Sequence, residues 1–133
     1  MKQWLLYSIL GVGMVWFTSA AIAQEQKPEE KKYEMKQYWM VFLKTGPTRD
    51  QDSVTAMNIQ KGHLANIGRL AELGKILVAG PFGDDTDLRG IFIMDCKDEA
   101  EVKDLCSSDP AIKAGRLIAE IHPWWTAKGG SFK

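Results

Sequence analysis

Residues 56–81 read AMNIQKGHLANIGRLAELGKILVAGP, and the hydrophobic rhythm changes within them at Gly74. Up to Leu73 the apolar positions recur at helical spacing. At 100° per residue Ala56, Ile59, His63, Ile67 and Leu70 share one face, and Lys61, Arg69 and Glu72 take the opposite one. From Ile76 to Ala79 the run is short, continuous and apolar, and it closes at Gly80-Pro81. This predicts an amphipathic helix capped by Asp52 or Ser53, a stop at Gly74 as C′ residue, and a strand directly after it. The odd member of the helical face is His63, a polar ring where a leucine would be ordinary.

Outward from this stretch, Tyr38 to Lys44 is rich in aromatic and β-branched residues and ends at the turn signal Thr45-Gly46-Pro47. After the polar loop Gly83-Asp84-Asp85, Arg89 to Asp95 reads as a third strand forming a hairpin with the second. Asp98 to Cys106 sets Ala100, Val102 and Leu105 among charges, a shorter second helix, and Leu117 to His122 is a fourth strand before Pro123-Trp124-Trp125. The order βαββαβ is the α+β, ferredoxin-like plan. Strands one and three are apolar on both alternating sets of positions, whereas two helices cover only one face of a sheet. The other face, read as carrying Tyr38, Met40, Phe42, Phe92 and Met94, needs a cover, and a second copy is the economical one. A homodimer packed sheet to sheet, a dimeric α/β barrel, is the expectation.

Residues 1–23 stand apart. Met1-Lys2 begins them, Trp4 to Thr18 contains no charge, and Ala21-Ile22-Ala23 precedes Gln24 as a small-residue cleavage site. A secretory signal peptide is expected, with a secreted or periplasmic product and no stable membrane insertion after cleavage; the apolar run is short for an uncleaved anchor. Residues 24–36, dominated by Glu and Lys, read as a flexible charged linker. The domain proper is placed at 37–128, with 129–133 a loose tail. Seventeen basic and 17 acidic residues leave no one-signed basic surface of the sort nucleic acid requires, so it is disfavoured as a partner.

Export would carry Cys96 and Cys106 into an oxidising compartment. Cys96 falls at a strand exit and Cys106 near the far end of the next helix, beyond disulfide reach, so two free, buried thiols are expected. Neither belongs to a C-x-x-C or Cys/His cluster, and no zinc site is proposed. Glu120 and His122 share a strand face, but two ligands are too few for a metal centre. No G-x-S-x-G occurs and neither cysteine has a neighbouring base, which removes support for covalent catalysis.

His63 has two readings: a satisfied packing histidine, or a titratable group lining a cleft. Asp109 also has two. Asp-Pro commonly starts a turn, and here it reads as ending the second helix; equally, its carboxylate could fix the tautomer of an imidazole and free the other ring nitrogen for proton transfer. Gly80-Pro81-Phe82 could bring backbone amides against a ligand or simply turn a hairpin. Trp124-Trp125 suits a dimer rim or a pocket wall.

Gly62-His63-Leu64, the segment Leu73 to Pro81, Ser108-Asp109-Pro110 and Ala114-Gly115 together resemble the YCII-related (YciI-like) family. That family is marked by a helical H-L, a segment closing on A-G-P, and a D-P-x-x-x-A-G segment before the last strand. The likeness spans Gln37 to Trp125. It implies a dimeric α/β barrel with a His-Asp dyad, which falls on His63 and Asp109. Read with the residues above, the expected site adds Gly80, Pro81 and Phe82 beside the substrate and has no metal or organic cofactor. Similar members suggest elimination or isomerisation on a small molecule, for example dehydrochlorination of an aromatic ring. One departure is visible: many members carry a basic residue three positions before the histidine, where this chain has Gln60. The rival function is a dimeric module that binds a small ligand in the same cleft without breaking a bond.

Overall fold

The computed structural model describes residues 32–131, so the expected signal peptide and most of the expected linker lie outside the described residues. The elements run β1 (Met35–Thr45), α1 (Ser53–Glu72), β2 (Ile76–Pro81), β3 (Leu88–Met94), α2 (Glu99–Ser107), α3 (Pro110–Lys113) and β4 (Leu117–Ala127). The strands form one antiparallel sheet in the order β2-β3-β1-β4. Four antiparallel strands with three helices make an α+β fold consistent with the ferredoxin-like plan.

Local chemistry sets the helix limits. Asp52 caps α1, its carboxylate accepting from the Thr55 N–H at 2.9 Å, and Gly74 follows the C-cap Leu73. Asp98 caps α2 in the same way through the Glu101 N–H. The helices lie on one face of the sheet, where Trp39, Val41, Leu43, Phe92 and Met94 pack against Leu70, Val102 and Cys106.

Phe92 and Met94 therefore belong to the covered face, not to the open one assigned from the sequence. Register is the reason: Val41 stands opposite Phe92 and Trp39 opposite Met94, and cross-strand partners share a face. The open face instead pairs Met40 with Ile93 and Phe42 with Ile91. Tyr38, on that same face, is already buried and borders a hollow with Val78, Ile93 and Trp124. Trp124 thus forms a hollow wall, while Trp125 is exposed.

Three boundaries differ from the sequence expectations. Strand β4 continues through Pro123 to Ala127, because it is an edge strand where a missing N–H is tolerated. Its extension gives Met35 and Lys36 partners in Ala127 and Thr126, so the end of the expected linker is β-strand. Asp109 does not end α2; Ser108 does, and Asp109 caps α3, a single turn absent from the sequence reading.

Candidate active site

His63 comes from the middle of α1 and Asp109 from the cap of α3, and they meet because Gly62 presents no side chain to Pro110 where the two helices cross. The imidazole Nδ1 lies 2.9 Å from both carboxylate oxygens of Asp109. Asp109 accepts three further hydrogen bonds: from the Ala111 N–H at 2.8 Å, the Ile112 N–H at 3.4 Å and the Asn66 side-chain amide at 3.1 Å. Burial pushes this carboxyl up, but the hydrogen bond and charge of His63, with the Ala111 N–H and Asn66, outweigh it and hold Asp109 below its usual 3.8. An ionised carboxylate only accepts, so Nδ1 carries the hydrogen and donates.

This fixes the other side of the ring. Whenever the ring is neutral, Nε2 bears the lone pair, and Nε2 has no hydrogen-bond partner among the described residues. No buried side-chain nitrogen or oxygen lacks a partner in the described part of the molecule, so Nε2 is not sealed in the core. It belongs to a cavity of about 380 Å³ that His63 lines together with Leu43, Ile67 and Phe92. The Phe92 ring lies nearly parallel to the imidazole, 27° between planes with centroids 6.2 Å apart, and limits its tilt.

Gly80 and Pro81 line the same cavity, from the end of β2. Phe82 does not; it is 40% exposed just beyond the strand. Gln60 also faces the cavity. Glu120 and His122 sit away from it, on the open sheet face. There the Glu120 carboxylate is within 2.8 Å of His122 Nε2 and accepts from Lys44 at 3.1 Å. His122 and Lys44 hold that carboxyl below its usual range.

Both cysteines are free and buried. Burial pushes the Cys96 thiol up to about 11, with Glu101 adding to the effect, and the Cys106 thiol up to about 12, with Asp109 adding. Neither is a nucleophile near neutral pH.

Two residue sets escaped the sequence reading. Asn66, which holds the second oxygen of Asp109 and is itself fixed by Arg69 at 2.7 Å, lies three residues beyond His63, a spacing that marks a shared helix face. Arg49, Arg89 and Arg116 line the cavity from three separate places in the chain and form no motif.

The family described as YCII-related domain matches residues 37–125 of the chain. No curated protein matches it. Among solved structures it is similar to 5-chloro-2-hydroxyhydroquinone dehydrochlorinase from Burkholderia phenoliruptrix AC1100, determined in complex with 2,5-dihydroxybenzoquinone. That likeness has 26% sequence identity and a TM-score of 0.49, and covers 65% of this chain and 92% of the other.

Proposed function

Because the chain belongs to the YCII-related domain family, we propose that it is a small enzyme performing general acid/base chemistry on a small molecule held in the His63 cavity. One observation carries the reading: the His63 ring is held at Nδ1 by an ionised carboxylate that three other donors fix, while Nε2 has no partner among the described residues. A packing histidine has no need of this asymmetry. A base does, since the carboxylate sets the tautomer, orients the ring and stabilises the imidazolium once a proton arrives.

In such a reaction Nε2 takes a proton from a C–H or O–H of the substrate. In an isomerisation the electron pair left behind shifts the double bond, and the imidazolium returns its proton at another atom. In an elimination the pair forms a new π bond, the leaving group departs with its own bonding pair, and the imidazolium passes the proton to solvent. Asp109 stays ionised throughout.

The test is hydrogen–deuterium exchange in D2O, followed by NMR, over a panel of small carbon acids including 2-keto acids and halogenated phenols. Wild-type protein is expected to catalyse exchange in at least one of them, and His63→Gln to abolish it with an unchanged circular dichroism spectrum. Exchange that survives in His63→Gln, or none with the wild type, would leave the cavity to the rival reading of ligand binding without catalysis.

The assembly belongs to the same proposal. Met40, Phe42, Ile91 and Ile93 are only half-buried on the open face, and a second copy laid against them would complete a dimeric barrel. Export rests on residues 1–23 alone and is checked by the N-terminus of the protein isolated from its host.

A further inference from the structure

Three of the chain's four arginines, Arg49, Arg89 and Arg116, line the His63 cavity, and among the described residues no lysine does. No acidic side chain among the described residues lines it either. Arg89 is engaged by Asp85 at 3.3 Å on the exposed rim. The other two meet only neutral acceptors among the described residues: Arg116 donates to the Gln51 side-chain oxygen at 2.6 Å, and Arg49 to the Arg116 carbonyl at 3.1 Å.

The two backbone segments that carry these arginines are clamped together. The Gly46 N–H donates to the Arg116 carbonyl at 2.8 Å and the Thr48 N–H to the Gly115 carbonyl at 3.0 Å. Gly115 has φ of +70°, and a β-carbon there would fall 2.7 Å from Thr48 Oγ1, so only glycine lets the loop before α1 close on the start of β4. Positive charge thus lies beside an apolar wall of Leu43, Ile67 and Phe92, and among the described residues no carboxylate pairs with Arg49 or Arg116 to neutralise it.

We infer that the molecule taken into this cavity is a small organic anion, its carboxylate or equivalent planar oxyanion bound by Arg116 and Arg49 and its apolar body laid against Leu43, Ile67 and Phe92. This rests on the reading of the cavity as the reaction site and adds the substrate class. The planar fork of arginine matches an oxyanion in two hydrogen bonds at once, which a lysine ammonium does not. The same charges would stabilise negative charge that develops on the substrate as its proton leaves for Nε2.

Calorimetric titration of the purified protein with benzoate, cyclohexanecarboxylate and phenyl phosphate, beside the neutral isostere benzamide and inorganic phosphate, tests this. At least one organic anion is expected to bind, and benzamide about tenfold or more weaker. Arg116→Gln and Arg49→Gln should each weaken that anion, while Lys61→Gln, on the exposed face of α1 outside the cavity, should not; the melting temperature of each unliganded variant shows whether it folds. Arg116→Lys, which keeps the charge but not the fork, should recover only part of the binding. Equal binding of benzamide, or binding unchanged in both arginine variants, overturns the inference, as does no binding of any organic anion up to about 10 mM. His63→Gln separates the two readings, because anion binding should persist in it. Anion binding without proton exchange would sink the base and leave the anion site standing.

Discussion

Gly62 and Pro110 stand so close that a β-carbon on Gly62 would lie 3.0 Å from Pro110 Cγ and 3.3 Å from its Cβ. The position next to the base is therefore where α1 and α3 are pressed together, and Pro110 directly follows the carboxylate that the base requires. Gly62→Ala gains about 0.5–1 kcal/mol of helix propensity but must push the proline ring aside, which costs about 1–3 kcal/mol. A small net loss of stability is expected together with a disproportionate loss of turnover, since the helix separation sets the His63–Asp109 contact. Parallel melting and exchange measurements on this variant check it; full turnover would mean the contact tolerates the shift.

Asparagine starts turns as aspartate does, so from the sequence alone Asp109→Asn should be cheap. The structure changes that expectation. The carboxylate accepts from His63, Asn66, Ala111 and Ile112, so the amide removes an acceptor oxygen and sets its NH2 against existing donors. A stability loss of about 1–3 kcal/mol is expected, with turnover falling roughly 10²- to 10⁴-fold. Denaturant unfolding beside the exchange assay would measure both, and unchanged turnover would remove Asp109 from the mechanism.

Acid should act through the same carboxylate. Its value in the folded protein lies below 3.8, so ionisation favours the folded state. The contribution is fully present above the unfolded value near pH 4 and is lost as pH falls through the lower folded value. Wild type and Asp109→Asn should accordingly differ most in melting temperature above pH 5, and converge below pH 4. A gap that stays constant down to pH 3 would count against an ionised, stabilising Asp109.

The thiols offer an independent probe of the core. With Cys96 raised to about 11 and Cys106 to about 12, both buried, native protein at pH 8 should react with a thiol-specific reagent only at the rate at which it opens. In denaturant both should react at once. Rapid stoichiometric labelling of the native form would show that this side of the core is open to solvent.

Phe42→Glu should break the proposed sheet-to-sheet dimer, since it places a charge at the middle of the half-buried open face opposite Ile91. Sedimentation should give twice the monomer mass for wild type and the monomer mass for the variant. A monomeric wild type would leave that face to some other cover.

The sequence made the repeating parts of this molecule readable and left the contingent parts hidden. Helical spacing alone put His63 on the buried face of α1, and the strand order followed from apolar runs and turn signals. Alternation could not tell which set of β3 side chains meets the helices, because that depends on pairing with β1: Phe92 and Met94 became core only when set opposite Val41 and Trp39. A four-residue helix is too short to show a period, so from the sequence α3 looks like a turn and Asp109 like the end of the helix before it. Pro123 read as a terminator since proline removes a ladder donor, a penalty that an edge position relieves. The arginine group had no local signature at all, being assembled from a loop, a strand and a helix–strand junction that only tertiary structure brings together.

Proline occurs in both outer strands of the sheet, Pro81 in β2 and Pro123 in β4. Each interrupts the row of donors that an incoming strand would need, so neither margin is a good template for lateral growth. A protein with so apolar a sheet would otherwise be prone to ribbon-like aggregation through these margins. Blunting both of them turns copies of this chain away from edge-to-edge growth and towards the proposed stacking of open faces, an arrangement that closes on itself at two.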